Sequence, residues 1–256
     1  GPWVVTEYVE KTRIVAERNP YFWKVDSEGN QLPYIDKVEF RYVASTDTIP
    51  ALVQAGQVDF LARHLTFDDY PFYKQNETNG NYRAAVLSQS GLGPSIRLNY
   101  AVQDMDLRNL FWNKDFRIAL SIGLNREAIS RALYFGQAEP WGISPHRDTP
   151  GFPGEEYAKL HTEYNPIRAN EILDNLGLLD TDGDGVREVN GKPLTIVIDM
   201  DQGGGAGPVK VAELVAAQWR EIGIRAIANT IERSLMLARW QDNTHTAFAW
   251  KLEGGI

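Results

Sequence analysis

The residues best placed to do chemistry are acidic side chains in the segment 180–188. Counted from Asp180, carboxylates fall at positions 1, 3, 5 and 9, and a glycine falls at position 6. This is the spacing of an EF-hand-like Ca²⁺ loop, in which position 7 gives its backbone carbonyl. The candidate metal ligands are Asp180, Asp182, Asp184, Val186 and Glu188.

Position 12 of this loop weakens the metal interpretation. An EF-hand has a bidentate glutamate there, and this sequence has Gly191. The missing ligand favours a tight turn in which the aspartate side chains accept hydrogen bonds from nearby backbone N–H groups. No cofactor is required on this interpretation, and Ca²⁺ stays the alternative.

A glycine cluster at residues 203–207 could cradle a phosphate with its backbone N–H groups, because it lies between a predicted strand and a predicted helix. It lacks the Lys-Ser/Thr pair of a P-loop, and Pro208 breaks the G-x-G-x-x-G register. These residues favour a flexible loop.

Catalysis finds little support in the sequence. The histidines form no H-E-x-x-H motif, and no G-x-S-x-G nucleophile elbow occurs. Cysteine is absent, which excludes disulfides, thiolate metal sites and cysteine nucleophiles. We therefore expect a protein that is not an enzyme.

The 7 tryptophans and 11 tyrosines suit stacking on sugars or on peptide side chains. Most aromatic residues are expected in the core. Trp141 lies in an irregular segment and Trp250 near the end of a predicted strand, and these two are expected at a binding surface.

Composition narrows the function classes further. The 256 residues are 43% hydrophobic and 23% charged, which is ordinary for a well-packed protein. The net charge of -8 removes the usual electrostatic basis for nucleic-acid binding. No run reaches the roughly 18 apolar residues of a membrane span. No basic-then-apolar leader opens the chain, so we expect that a leader was removed or that the chain is a piece.

The spacing of apolar residues predicts the strands and helices that position these residues. Apolar runs rich in β-branched and aromatic residues predict strands at 37–43, 82–87, 194–200, 224–231 and 246–250. Helices are predicted at 114–124 and 126–134, from Asn165-Pro166 to Gly177, and at 208–221.

Two β-α-β units are expected, one at 38–61 around a short helix at Ile49 and one at 194–231. They predict parallel pairing, an α/β architecture and one undivided domain. Residues 136–164 are predicted to form a long ordered loop.

Three segments carry a family resemblance. They are Glu17-Arg18-Asn19-Pro20-Tyr21-Phe22-Trp23, Ala55-Gly56-Gln57-Val58-Asp59-Phe60, and the helix pair at 116–129 that begins Phe-Arg-Ile-Ala-Leu. In this order and separation they resemble the family 5 extracellular solute-binding proteins, which hand peptides and some other solutes to ABC importers. Weaker matches, such as Gly1-Pro2-Trp3 and Leu98-Asn99, extend the resemblance across nearly the whole chain.

The resemblance implies an α/β fold, one lobe of a periplasmic-binding-protein-like fold (type II, cluster C) with a mixed sheet flanked by helices. Family members are more than twice as long and have another lobe. The resemblance therefore implies that residues 1–256 form a second lobe and that the first lobe is absent from this chain. Because the family encloses its solute between two lobes, we expect the chain alone to bind solute weakly or not at all.

Peptide-binding members follow their last cleft strand with Trp-x-x-Asp, and that Asp pairs with the amino terminus of the ligand. The matching segment here is Trp250-Lys251-Leu252-Glu253. The resemblance thus implies Trp250 and Glu253 as ligand-binding residues, beside Trp141. The longer carboxylate of Glu253 puts recognition of an α-amine in doubt.

The implied function is the substrate-binding component of an ABC importer that captures peptides or a related solute. An ABC permease is the implied partner, nucleic acid is not, and the protein is expected to be a monomer in the periplasm or outside the cell, with a lipid anchor as one form of attachment. An oligosaccharide-binding receptor of the same family is the alternative. Less favoured are a Ca²⁺-dependent structural module and an α/β enzyme that uses the glycine cluster.

Overall fold

In the described part of the chain, buried apolar side chains form two hydrophobic clusters. The computed structural model describes residues 1–61, 65, 67–86, 94–202 and 206–251. Its contacts divide the chain into a smaller unit, Gly1–His64 with Phe72–Ala84, and a larger unit, Leu65–Pro71 with Ala85–Ile256. The sequence analysis predicts one undivided domain. The division arises because each unit has its own hydrophobic cluster. That residues 1–256 form one lobe stays a prediction.

The smaller unit contains an antiparallel sheet in the order β1-β2-β3. Its strands are β1 (Trp3–Val9), β2 (Arg13–Arg18) and β3 (Lys37–Arg41). Successive side chains along a strand point to opposite faces of the sheet. Ile14 pairs with Phe40 on the apolar face, and the ion pair Arg13–Glu7 lies on the other face. The strand predicted at 37–43 is confirmed.

The helices of this unit surround its hydrophobic cluster, formed by Ile49, Val53 and Tyr73. They are α1 (Ile49–Gln54), α2 (Tyr70–Gln75), of which residues 72–75 belong to this unit, and α3 (Glu77–Gly80). Short 3-10 turns occur at Thr46–Thr48 and, in the larger unit, at Phe67–Asp69.

Two strands predicted for this unit are wrong. Residues 58–61 are irregular, and Val58 and Leu61 pack on the cluster as partly buried loop residues. Residues 82–86, the described part of the other run, are also irregular. The Ala84 N–H donates to the Glu77 carboxylate at 2.7 Å, so a side chain takes the place of a strand partner. Short apolar runs do not distinguish strands from packed loops, and the β-α-β unit at 38–61 is not formed.

The larger unit alternates helices with the strands of its main sheet. Its helices are α4 (Met105–Trp112), α5 (Lys114–Ile122), α6 (Arg126–Tyr134), α7 (Glu155–Ala158), α8 (Pro166–Asn175), α9 (Ala206–Glu221) and α10 (Arg233–Gln241). Its strands are β4 (Pro94–Leu98), β5 (Glu188–Val189), β6 (Lys192–Pro193), β7 (Thr195–Asp201), β8 (Arg225–Ile231) and β9 (Ala247–Lys251).

The main sheet has the order β4-β9-β7-β8. β7 is parallel to both β8 and β9, and β4 is antiparallel to β9. The predicted β-α-β unit at 194–231 is therefore confirmed as β7-α9-β8. The fold is α/β with a mixed sheet flanked by helices, as the family resemblance implies. β5 and β6 form a separate hairpin.

The core lies between the main sheet and the helices. Ile196 and Ile198 of β7 are fully buried, and the apolar stripe of α9 packs on all four strands. Trp219 of α9 donates its Nε1–H to the carbonyl of Leu120 at 3.0 Å and so joins α9 to α5. Burial of this apolar surface is the main stabilising contribution to the unit.

Side-chain caps set the helix starts that the sequence predicts. The Asn165 side chain accepts from the Arg168 N–H at 3.0 Å, with Pro166 in the first turn. Asn125 caps α6 in the same way, accepting from Ala128 N–H at 2.9 Å. Each cap satisfies a donor that the helix leaves without a partner. Within the described residues, no helix has the length and apolarity needed to cross a membrane.

Replacing Phe116 by alanine is expected to reduce the free energy of unfolding by about 3–5 kcal/mol, because its side chain is 0% exposed and its removal leaves a cavity. Ile167→Ala is the control, since Ile167 is 73% exposed, and it should change stability by less than about 0.5 kcal/mol. Urea denaturation followed by circular dichroism measures both. Equal effects of the two substitutions would contradict this core assignment.

Candidate functional site

The carboxyl ends of three parallel strands meet at one edge of the main sheet. β7 ends at Asp201, β8 at Ile231 and β9 at Lys251. The crossovers β7-α9-β8 and β8-α10-β9 run in opposite directions across the sheet. Ligands of open α/β sheets bind outside the carboxyl ends of the strands, at a point where the strand order reverses. We call the following residues the carboxyl edge: Asp199, Asp201, Arg233, Arg239 and Trp250.

Asp199 is the buried anchor of the carboxyl edge. Its side chain is 2% exposed. Asn229 Nδ2 on β8 donates to its Oδ1 at 2.6 Å, and Arg239 Nη1 on α10 lies 3.1 Å from both carboxylate oxygens. A carboxylate tolerates burial only when it is paired and hydrogen-bonded. These contacts therefore fix α10 against β7 and β8.

Asp201 holds a second arginine of α10. Its side chain is also 2% exposed, and its Oδ2 accepts from Arg233 Nη1 at 3.0 Å. The guanidinium carbon of Arg233 lies 5.1 Å from the centroid of the Trp250 ring, within the range of a cation–π interaction. Arg233 is nonetheless 56% exposed. The carboxyl edge thus presents to solvent a guanidinium fixed by a buried carboxylate and by an indole.

Aromatic side chains support this edge from within the unit. Phe248, two residues before Trp250 on β9, lies on the same face of the strand. Its ring centroid is 5.5 Å from that of Trp240 on α10 and 5.5 Å from that of His245. The Arg97 guanidinium lies 5.6 Å from the same ring. The packing holds β9 and α10 together and so positions Trp250.

Of the predicted ligand-binding residues, Trp250 lies at the carboxyl edge, half-buried on β9. Glu253 lies outside the described residues, and so do Gly203, Gly204 and Gly205 of the glycine cluster. Solute contact by Trp250 and Glu253 stays a prediction.

Trp141 lies in the predicted loop 136–164, whose one helix is α7. Its ring stacks on Phe152, with centroids 5.9 Å apart and planes inclined by 15°. Arg147 and Lys159 lie 5.1 and 6.0 Å from the ring centroid. Both cations form ion pairs with Glu139 and Glu155, at 2.7–2.9 Å. These four charged residues, with Trp141, are the Trp141 network, and they give the indole a structural role. Its contact with solute stays a prediction.

Hydrogen bonds shift the protonation equilibria of the Trp141 network. The Lys159 ammonium, followed by the Arg147 guanidinium, lowers the pKa of Glu139 below its usual value. Lys159 likewise lowers the pKa of Glu155. The carboxylates in turn raise the pKa of Lys159. The network is therefore fully charged at neutral pH.

The acidic loop brings its carboxylates together. One oxygen from each of four side chains lies within 4.8 Å of the others: Asp180, Asp182, Asp184 and Glu188. Ca²⁺–oxygen distances of about 2.3–2.6 Å would fit this span. The same aspartates accept hydrogen bonds of 2.7–3.1 Å from the loop backbone; the donors are Gly183, Asp184, Gly185 and Val186. Asx turns thus order the loop, as the tight-turn interpretation of the sequence expects. Ca²⁺ binding stays a prediction.

Arg187 fixes this loop to the rest of the larger unit. Its buried guanidinium donates to the carbonyls of Ile222 and Leu178 and to the side chains of Asp174 and Asn170. Gly223, at a φ of +81°, lets the arginine pass, because a Cβ there would lie 2.8 Å from Arg187 Cγ. The loop is anchored on α8 and on the end of α9 by protein groups.

Sequence reasoning missed four residues of the carboxyl edge: Asp199, Asp201, Arg233 and Arg239. A signal was present, since Asp199 and Asp201 interrupt the apolar run of β7 at alternate positions near its carboxyl end. Two acids on one face of a buried strand require cationic partners. Only the fold shows that α10 provides them.

Known proteins resemble this chain over nearly its whole length. The family model of the bacterial extracellular solute-binding proteins, family 5, middle region, matches residues 1–254. The chain belongs to this family. Family 5 consists of solute-binding receptors and not of enzymes, in agreement with the sequence analysis.

Family 5 relatives of known name are distant in sequence. The periplasmic alpha-galactoside-binding protein of Rhizobium meliloti is 27% identical over 252 residues, which are 91% of this chain and 35% of that protein. The oligopeptide-binding protein AppA of Bacillus subtilis is 26% identical over 247 residues, 93% of this chain and 40% of that protein. The chain thus spans well under half the length of these relatives.

Solved structures agree on the fold. The oligopeptide-binding protein OppA is 35% identical, with a TM-score of 0.66, over 98% of this chain and 40% of that chain. The periplasmic binding protein MelB of Agrobacterium fabrum, solved in complex with stachyose, is 24% identical, with a TM-score of 0.72, over 98% of this chain and 39% of that chain. The periplasmic-binding-protein type of fold that the resemblance implies is therefore confirmed.

Calcium at 1 mM is expected to leave the melting temperature of the chain unchanged relative to excess EDTA, because backbone donors and Arg187 already order the acidic loop. Differential scanning fluorimetry measures this. A rise with Ca²⁺ that Asp182→Asn abolishes would instead establish the Ca²⁺ alternative, since Asp182 is one of the four clustered carboxylates.

Acid is expected to break the ion pairs of the Trp141 network. Because folding lowers the pKa of Glu139 and Glu155, their stabilising contribution is fully present above the unfolded value of about 4.3 and is lost as the pH falls through the folded values. The fluorescence difference between wild type and Trp141→Phe should therefore change only below about pH 4. The double variant Glu139→Gln, Glu155→Gln should remove this transition, and a midpoint above the unfolded value would contradict the lowering of the two pKa values.

Proposed function

We propose that the chain is part of the substrate-binding component of an ABC importer and captures peptides or oligosaccharides. The observation that carries the proposal is the carboxyl edge, where a fixed and exposed guanidinium lies beside Trp250 outside three parallel strand ends. Polar groups held in place at such an edge suit recognition of a solute, since little entropy is lost when it binds.

The two solute classes follow from the relatives. One is named for alpha-galactosides and another for oligopeptides. A half-buried indole stacks on sugar rings and on peptide side chains alike. The proposal therefore includes both classes, and Trp250 and Glu253 remain the predicted contacts within it.

Cellular context is part of the same proposal. Several relatives are named as periplasmic, which supports a place in the periplasm or outside the cell, with or without a lipid anchor. An ABC permease is the proposed partner, and the receptor is proposed to act as a monomer. The larger unit would supply one wall of the solute site and would need an opposing wall to enclose its ligand.

A ligand screen tests the proposal. The full-length protein that contains this chain is mixed with panels of tripeptides to pentapeptides and of neutral oligosaccharides, and its melting temperature is recorded. A solute whose free concentration is 100 times its dissociation constant stabilises the folded state by about 2.7 kcal/mol. We therefore expect solutes of one panel to raise the melting temperature by several degrees.

The control for this screen is the 256-residue chain alone, which is expected to show no shift and no heat of binding by calorimetry. Absence of any ligand for the full-length protein across both panels would overturn the proposal. Micromolar affinity of the chain alone would instead overturn the requirement for an opposing wall.

A further inference from the structure

The three-stranded sheet of the smaller unit is apolar on one face. β2 pairs with β1 on one side and with β3 on the other, so residues directly opposite each other form rows that share a face. Two neighbouring rows contain only apolar side chains. They are Val5, Ala16 and Val38 in one row and Tyr8, Ile14 and Phe40 in the next. We call these residues the apolar sheet face.

The opposite face of the same sheet is polar. Each of its rows contains at least one charged side chain. The rows are Val4, Glu17 and Lys37; Glu7, Val15 and Glu39; and Val9, Arg13 and Arg41. The ion pairs Arg13–Glu7 and Arg41–Glu39 form within this face. Antiparallel sheets commonly leave a polar face in water and pack the other face on a core, and the apolar sheet face has the composition of the packed side.

The apolar sheet face is nevertheless exposed. Val5 is 60%, Tyr8 67% and Phe40 59% exposed. The hydrophobic cluster of the smaller unit, as far as the structure describes it, contains no residue of the three strands. A sheet is stabilised when its apolar face packs against a second layer. A covering layer is therefore expected on this face.

We propose that the apolar sheet face is covered by a segment of the same polypeptide that lies outside residues 1–256 and presents apolar side chains to it. The length of the relatives supports a cover of this kind, because the chain spans 35% of the alpha-galactoside-binding protein and 40% of AppA. The inference shares one premise with the proposed function, that the chain is part of a longer protein. It does not depend on any solute.

The composition of the face favours a permanent cover over a transient partner. The two rows carry no charged side chain. Charge begins only in the row beyond Val5, where Arg18 stands opposite Trp3 and lies 3.4 Å from Asp36. Permanent interfaces resemble a domain core cut in half, whereas transient ones are more polar. A cover from the same polypeptide is permanent, and it avoids the entropic cost of bringing two molecules together.

Cysteine labelling tests the cover. The chain has no cysteine, so one introduced thiol reports on one position. Val5→Cys places the thiol on the apolar sheet face. Val4→Cys is the matched control, because Val4 is the preceding residue of β1, lies on the polar face and is 52% exposed. Each variant is made in the full-length protein and in the 256-residue chain. Its rate of reaction with a maleimide is measured, and the rate of the unsubstituted protein is subtracted.

In the chain alone, both thiols are expected to react at similar rates, because both positions are exposed. In the full-length protein, Val5→Cys should react at least about tenfold more slowly than Val4→Cys, since a covered thiol reacts only when the cover opens.

Three outcomes of the labelling would overturn the proposal. The first is equal rates of the two variants in the full-length protein. The second is protection of Val5→Cys in the chain alone, which would assign the cover to the chain itself. The third is protection in the full-length protein that disappears on dilution, which would indicate a second copy. Each would leave the proposed function intact, because the assay involves no solute.

Val5→Asn and Val4→Asn provide a second measurement at the same positions. An amide that is buried without a hydrogen-bond partner destabilises the folded state. Val5→Asn should therefore lower the melting temperature of the full-length protein by several degrees more than Val4→Asn does. In the chain alone the two variants should melt at the same temperature. Equal melting temperatures of the two full-length variants would contradict the burial of Val5.

Discussion

Burial of two aspartates at the end of β7 constrains the larger unit. A carboxylate with 2% exposure is costly unless a cation pairs with it. Both partners come from α10, so this helix must pack across β7 with its first and seventh residues turned towards the sheet. The same pairing brings a guanidinium to the surface beside Trp250. Packing and the candidate site therefore depend on one set of contacts.

The order of the strands in the main sheet also depends on α10. β9 follows α10 in the chain, yet it pairs with β7 on the side away from β8. α10 therefore carries the chain past β7, and the aromatic contacts of Phe248 with Trp240 hold the strand and the helix together. The polar pairs and the aromatic contacts stabilise the same arrangement, so neither has to position Trp250 alone.

The sequence was informative where local chemistry determines structure. The caps Asn125 and Asn165 predict helix starts, and the apolar residues at the start of β7 predict a strand. It was misleading at 58–61 and at 82–86, where apolar residues pack in irregular segments and the Glu77 side chain takes a backbone donor. The spacing of apolar residues does not indicate that a side chain will take the place of a strand partner.

The carboxyl edge was missed for a related reason. Asp201 and Arg233 are far apart in the sequence, and no spacing rule links them. Trp141 was singled out as a cleft residue from its irregular surroundings, and its contact with solute stays a prediction. The structure adds its neighbours Phe152 and Arg147. The partners at both places come from distant or irregular segments, which single-sequence patterns do not identify.

The Asp201–Arg233 pair also limits how the sequence of the larger unit can vary. Substitution of Arg233 alone removes a cationic partner from the buried Asp201 carboxylate, and substitution of Asp201 alone removes a contact that orients the guanidinium. Either single change is penalised, so the two positions are coupled and should change jointly in homologous chains. Correlated substitution at this pair would record that coupling.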